Sequence, residues 1–206
     1  MLELIGDFSI TKIKEAIRDA ETGLIQYKEI MSLFRNTNVS KDISFQRKFK
    51  YFYKVNRRND KFYKAYFSFL ELNKSSNPIF SDTLKHFYKI GKSGKNGELV
   101  YSLEFSFVSK LLATLNPDLP VWDSNVFICL GLRNPGNWLP KEKRIEKAKE
   151  IYNKLIEWYK CFLKSEKGCN WIKLFNEKYP DSDITPVKKI DFILWQRGAR
   201  IKNNEN

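Results

Sequence analysis

The chain has 206 residues, of which 42% are apolar, so it can bury a sizeable core in one domain or two closely joined lobes. Its 37 Lys and Arg against 24 Asp and Glu give a net charge of +13, which favours a polyanionic partner, although charge that is simply solvated remains an alternative. A single histidine and three cysteines without paired spacing argue against imidazole, zinc and disulfide sites, and no apolar run is long enough to cross a bilayer.

The first part of the chain predicts five helices separated by turn residues. Ser9 can cap a first helix that ends at Gly23, and Ser40 or Asp42 can begin the third helix after a turn at residues 36–38. Apolar residues recur at helical spacing in each segment. The five predicted segments are 9–23, 24–34, 42–55, 60–72 and 81–90.

Residues 41–64 are strongly basic and rich in aromatic residues, with nine Lys or Arg against two Asp, a net charge of +7. Cations there could hold phosphates while a ring stacks on an unpaired base. A core built from the aromatic rings, with lysines around it, is the structural alternative. The candidate phosphate contacts are Arg47, Lys50, Lys54, Arg57 and Arg58, and the candidate base contacts are Phe45, Gln46 and Phe49.

Residues 91–97 form a glycine-rich loop that carries Lys92 and Lys95. The loop does not match the phosphate-loop pattern of nucleotide-binding proteins. It could instead lie along a DNA backbone through its N–H groups and lysines, or be a plain surface loop. The alternating residues that follow, 99–105, predict at most one short strand.

The next stretch predicts a short apolar helix, a proline-bounded turn and a second helix. Leu111, Leu112 and Leu115 have the spacing of a buried helical stripe, and Lys110 lies at its edge. After Pro117 and Pro120, Asp123 can cap the second helix, which runs to Gly131.

The last part of the chain predicts a long helix from Pro140 that stops at Gly168, a shorter one around Trp171, and a final helix opened by Thr185 and Pro186. We therefore predict an all-α fold of eight or nine helices with at most a minor strand. Residues 1–206 form one helical domain, which could comprise two lobes, 1–90 with the C-terminal helix and 91–180.

Lys110 and Asp123 are the pair with the most specific chemistry. If desolvation leaves part of the Lys110 amine uncharged, it could attack an electrophilic sugar carbon and carry a Schiff base. Asp123 could stabilise the positive charge that develops on the sugar or activate the attacking group. The structural alternative is a lysine at the edge of one helix and an aspartate that caps the next.

The residues Phe107–Leu112 around Lys110 and Pro120–Asp123 resemble the helix-hairpin-helix DNA glycosylase superfamily, especially its 8-oxoguanine glycosylase-like branches. This resemblance implies a helical, two-lobed base-excision enzyme in which Lys110 is the nucleophile and Asp123 assists at the sugar. Two features depart from the family: residues 103–108 lack its glycine-rich hairpin, and the interval of thirteen residues between the pair is shorter than usual.

We therefore expect a DNA glycosylase, with or without a lyase step, that acts on a damaged or modified base in double-stranded DNA with an everted base or in single-stranded DNA. Trp122 joins the candidate base pocket, and Glu104 could orient or neutralise Lys110 or cap its helix. The alternative is a non-catalytic nucleic-acid-binding protein of the same fold, for example in phage defence; a protein-interaction domain with an acidic partner is a third possibility. A cytoplasmic monomer without cofactor or metal is expected.

Overall fold

The computed structural model describes residues 2–93 and 98–204. Within these ranges the chain forms ten α-helices and one antiparallel pair of two-residue strands, β1 (Lys92–Ser93) and β2 (Leu99–Val100), which confirms the all-α fold. The helices are α1 (Ile10–Asp19), α2 (Glu21–Asn36), α3 (Ile43–Tyr53), α4 (Asp60–Leu72), α5 (Phe80–Ile90), α6 (Phe105–Leu115), α7 (Ser124–Leu130), α8 (Lys141–Lys164), α9 (Glu166–Lys178) and α10 (Pro186–Asn204).

Side-chain caps place several helix starts where the sequence predicts them. Asp42 accepts a hydrogen bond from the N–H of Phe45 at the start of α3, and Asn59 accepts one from the N–H of Phe62 at the start of α4. Such caps satisfy N–H groups that have no partner within the helix. Gly131 ends α7 with φ of 62°, a left-handed conformation that glycine adopts without steric cost.

Two predicted helix breaks are wrong, because Gly23 and Gly168 both lie inside helices. The chain turns instead at Ala20, between α1 and α2, and at Ser165, whose extended backbone ends α8 and whose hydroxyl caps α9. A glycine within a helix costs only about 1 kcal/mol relative to alanine, which tertiary packing can offset. At Gly168 the packing reason is visible, since an added Cβ would lie 1.9 Å from the carbonyl oxygen of Phe162.

The chain divides into two compact units, unit 1 (Met1–Leu24 with Pro117–Asn206) and unit 2 (Ile25–Asn116). The expected lobes divided the chain near residue 90, whereas the structure divides it after residues 24 and 116. Lys110 therefore belongs to unit 2 and Asp123 to unit 1.

Unit 2 is built around an aromatic core from α3, α4 and α5. The rings of Phe45 and Phe49 lie 5.5 Å apart, and Phe49 also contacts Tyr66 and Phe67 at 5.9 and 5.7 Å between ring centroids. These four side chains are fully buried or nearly so. Edge-to-face and tilted ring pairs of this kind stabilise a core beyond their buried area. Most of these rings therefore form a core, which was the alternative to base stacking for the aromatic residues of this segment.

Unit 1 is organised around α10, which packs against α1, α7, α8 and α9. The crossing with α7 is very close, because a Cβ added at Gly198 would lie 2.0 Å from the carbonyl oxygen of Asn125. Only a residue without a Cβ permits this approach of the α10 backbone to the first turn of α7. In the part of the chain that the structure describes, no helix is both long enough and apolar enough to span a membrane.

Candidate functional site

Lys110 is buried in the middle of α6, with only 6% of its surface exposed. Its neighbours Val108, Leu111 and Leu112 are also buried, so the lysine lies deeper than the stripe edge that the sequence predicts. An ammonium group is rarely held in such surroundings, because removing it from water costs free energy that a partner must offset. Lys110 is thus the one ionisable residue of α6, whose other residues are apolar or carry a hydroxyl group.

Asp123 occupies the N-cap position of α7, as predicted. Its Oδ1 accepts a hydrogen bond of 2.9 Å from the N–H of Asn125, and the side chain stays partly exposed. The carboxylate at a helix N-terminus is favoured by the helix dipole as well as by this bond. Asp123 therefore presents a fixed negative charge at the end of the proline-bounded turn.

Trp122 is buried beside Asp123 rather than open to a ligand. Its indole N–H donates to Oδ1 of Asn134 at 2.9 Å, and its ring lies 4.7 Å from that of Phe127. The expectation that Trp122 stacks on a base is therefore corrected, because the ring is packed into unit 1. Its role here is to connect the turn before α7 to the loop after it.

A buried polar network in unit 1 was missed from the sequence. Nζ of Lys188 lies 2.8 Å from Oδ2 of Asp191, and the hydroxyl of Tyr159 on α8 donates to Oδ1 of the same carboxylate. Burial raises the pKa of Asp191, Lys188 opposes this rise, and the negative charge of Asp123 adds to it. The network thus lies close enough to Asp123 for the two carboxylates to interact.

Burial also raises the pKa of the two tyrosines of α8 that face this network, Tyr152 and Tyr159. Burial and the charge of Asp191 raise the pKa of Tyr159 well above its usual range, and they raise that of Tyr152 as well. The hydroxyl of Tyr152 donates to the carbonyl of Pro120 at 3.0 Å. Both tyrosines therefore remain neutral donors, and Tyr152 holds the turn that leads to Asp123. In the sequence, the only sign of this buried network is the opposite charges of Lys188 and Asp191, three residues apart on α10.

Glu104 and Arg58 form a second buried ion pair, within unit 2. Nη2 of Arg58 lies 2.5 Å from Oε2 of Glu104, and the Ser102 hydroxyl donates to the other carboxylate oxygen. The guanidinium group also covers the ring of Phe107, 4.5 Å from its centroid. Arg58 is only 13% exposed, so its predicted contact with phosphate is corrected to a structural ion pair. Glu104 is at the N-cap position of α6, and its carboxylate binds Arg58 and Ser102.

The other predicted base contacts are part of the fold of unit 2. Phe45 and Phe49 have 0% exposure, so neither ring offers a face to a base, and this expectation is corrected. The Gln46 side-chain amide donates to the carbonyls of Val39 and Ser40 at 3.0 and 3.1 Å. The side-chain amide of Gln46 therefore closes the turn between α2 and α3. The N–H groups that would recognise a base are already used in these two bonds.

Three of the predicted phosphate contacts are exposed: Arg47 within α3, and Lys54 and Arg57 in the turn between α3 and α4. Lys54 and Arg57 have φ of 54° and 60°, a left-handed conformation that is uncommon for residues with a Cβ. Lys50 is partly exposed, with Nζ 4.6 Å from the centroid of Tyr63. Of the two loop lysines, Lys92 lies in β1 and Lys95 lies outside the described residues.

The described residues hold no cluster of three or more His, Cys, Asp or Glu that could bind a metal ion. Cys161 and Cys169 are exposed free thiols, whereas Cys129 is buried and donates to the carbonyl of Leu194 at 3.3 Å. Burial raises the pKa of Cys129 to about 12, so it remains an unreactive thiol.

Comparisons of the chain with known protein families, curated proteins and solved structures gave no match.

Proposed function

We propose that this protein is a DNA glycosylase that excises a damaged or modified base, with Lys110 as nucleophile and Asp123 as the carboxylate that assists at the sugar. The observation that carries the proposal is the burial of Lys110 in an apolar helix, followed thirteen residues later by an aspartate at a helix N-terminus. Catalytic lysines are typically desolvated, and catalytic carboxylates are typically held in a fixed orientation.

In the proposed reaction the uncharged amine of Lys110 attacks C1′ of the target nucleotide. The glycosidic bond between C1′ and the base nitrogen breaks, its electron pair leaves with the base, and the base takes up the proton that Nζ of Lys110 loses once it is bonded to C1′. The carboxylate of Asp123 stabilises the positive charge that develops on the sugar. Opening of the sugar ring then gives a Schiff base between Lys110 and C1′, from which a lyase step can cleave the DNA strand.

DNA as the partner is supported by the charge of the chain and by its exposed cations. The net charge is +13, and Arg47 on α3 is exposed, as are Lys54 and Arg57 in the α3–α4 turn. Phosphate contacts of this kind supply salt-dependent affinity and positioning without reading sequence. Base excision also requires eversion of the nucleotide, at a cost on the order of a few kcal/mol, which is lowest for a damaged or mismatched base.

Borohydride trapping on a panel of lesion-containing duplexes tests the proposal. Wild type should release a base and form a covalent adduct with at least one lesion, and Lys110→Gln should lose the adduct. Lys160→Gln, at an exposed lysine of α8, is a control for the loss of an amine that we do not place at the sugar. Base release without an adduct would assign a monofunctional reaction led by Asp123, and neither release nor adduct on any lesion would refute the proposal.

A second candidate is a non-catalytic nucleic-acid-binding protein. It is favoured by the turn between α3 and α4, where two basic residues have a left-handed backbone conformation. Non-glycine residues in this conformation are often found at binding sites, and Lys54 and Arg57 carry the charge there. This candidate predicts salt-dependent DNA binding that Asp123→Asn leaves unchanged and Arg57→Ala weakens, with no base release from any lesion.

A further inference from the structure

Trp138 has the highest exposure of any large hydrophobic residue in the described parts of the chain, at 86%. It lies in the loop between α7 and α8, residues 131–140, which we call the Trp138 loop. A tryptophan usually buries most of its large ring, so an exposed one leaves a wide apolar face in water. That cost suggests that the face is covered when the protein binds a partner.

The six-membered ring of the indole lies over Gly136. A Cβ added at Gly136 would be 2.3, 2.4 and 2.5 Å from three adjacent atoms of the six-membered ring. A point almost equally far from three neighbouring ring atoms lies above the plane of the ring and not beyond its edge. Part of one face of the indole therefore lies over the glycine, in space that any other residue would fill, while most of the side chain stays exposed.

Two side-chain hydrogen bonds hold the Trp138 loop, one before Gly136 and one after it. Oδ1 of Asn134 accepts from the indole N–H of Trp122 at 2.9 Å, and Oδ1 of Asn137 accepts from Nη2 of Arg144 at 3.0 Å. The first bond ties the loop to the residue that precedes Asp123. A ring that is already supported loses little conformational freedom when a ligand covers it.

The surroundings of Trp138 are basic. Residues 131–144 contain four Lys or Arg and one Glu, a net charge of +3. Arg133, Lys141 and Lys143 are exposed. A flat aromatic face among cations matches the two parts of a single DNA strand, the face of a base and its phosphates.

We propose that the exposed face of Trp138 stacks on an unpaired base of DNA, with the basic residues of 131–144 on the adjacent phosphates. The inference rests on the proposed nucleic-acid partner but not on chemistry at Lys110. A fully paired duplex keeps its bases stacked on one another, so Trp138 distinguishes unpaired from paired DNA.

The test measures affinity for three fluorescein-labelled DNA probes of about 15 nucleotides at constant salt: a single strand, a paired duplex, and the same duplex with one bulged nucleotide. Trp138→Ala should weaken binding of the single strand and the bulged duplex by between about fivefold and a hundredfold, the usual effect of losing one base-stacking ring. Binding of the paired duplex should change less than about twofold.

Three further variants sharpen the comparison. Trp138→Phe keeps a smaller ring and should lose less affinity than Trp138→Ala. Gly136→Ala keeps the indole but displaces it from its support, so it should weaken binding of the unpaired probes selectively. Trp195→Ala removes another exposed tryptophan of unit 1, on α10, and should leave all three affinities unchanged.

Equal affinity of wild type and Trp138→Ala for the single strand would overturn the proposal, as would an equal loss on all three probes. Either result would leave the Trp138 face to another partner, such as a protein. The two proposals can fail independently. Borohydride trapping at Lys110 can fail while DNA affinity still depends on Trp138, and trapping can succeed while DNA affinity does not depend on Trp138.

Discussion

The buried pair between Lys188 and Asp191 makes a strong prediction about stability. Lys188→Met removes the cation and leaves the carboxylate of Asp191 buried, with the Tyr159 hydroxyl still donating to it. Breaking a buried ion pair on one side typically costs about 3–5 kcal/mol. We expect this loss in the free energy of unfolding at pH 7, measured by urea denaturation.

The sign of the pH dependence follows from Asp191. Its pKa is raised in the folded protein by burial, and removal of Lys188 raises it further. Below its unfolded pKa of about 3.9 the carboxyl is neutral in both states, and as pH rises through the folded pKa the buried charge increasingly destabilises the variant. The destabilisation by Lys188→Met should therefore be smaller at low pH than at pH 7.

Lys160 provides a matched control on the surface. Its Nζ lies 2.8 Å from Oε1 of Glu157, the same distance and sequence separation as in the buried pair, but its side chain is 63% exposed. Lys160→Met should cost less than about 1 kcal/mol. The double variant Lys188→Met/Asp191→Asn should recover most of the loss, because no charge stays buried and an amide oxygen can still accept from Tyr159. Equal losses for Lys188→Met and Lys160→Met, or a loss independent of pH, would refute the reasoning.

Three further predictions concern other parts of the fold. Arg58→Met should lower the free energy of unfolding by about 3 kcal/mol, because it removes the guanidinium that pairs with the buried carboxylate of Glu104; a loss no larger than that of Lys160→Met would contradict this. Gly198→Ala should destabilise by more than about 1 kcal/mol in thermal unfolding, whereas alanine would stabilise an unobstructed helix, because the new Cβ would meet the backbone of Asn125. Iodoacetamide at pH 8 should modify the two exposed cysteines of the native protein but not Cys129, and mass spectrometry would show three modified thiols if its burial were wrong.

Local signals account for the part of the fold that the sequence predicted. Asp42 and Asp123 cap helices at the expected places, because a short polar side chain before an apolar repeat is itself the physical cause of a helix start. The helix breaks predicted at Gly23 and Gly168 are wrong, because a glycine can lie within a helix when packing requires close approach or offsets its cost.

The residues that sequence reasoning placed wrongly depend on contacts between distant segments. Arg58 was expected to meet phosphate, but it pairs with Glu104, 46 residues away in the chain. Phe45 was a candidate for stacking on a base, but it is fully buried and packs against Phe67 of α4. The pair on α10 could be read as an ordinary surface pair, because its burial depends on the packing of α8 against α10. Such pairings are set by tertiary structure and leave no local pattern.

The most direct test of the proposed chemistry is the location of the borohydride-trapped adduct. After trapping on a lesion-containing duplex, the protein is digested and the peptide that carries the reduced sugar is identified by mass spectrometry. We predict that the modification lies on Nζ of Lys110 and is lost in Lys110→Gln. A modification on another amine, or neither adduct nor released base with any lesion, would contradict the assignment of Lys110 as the nucleophile.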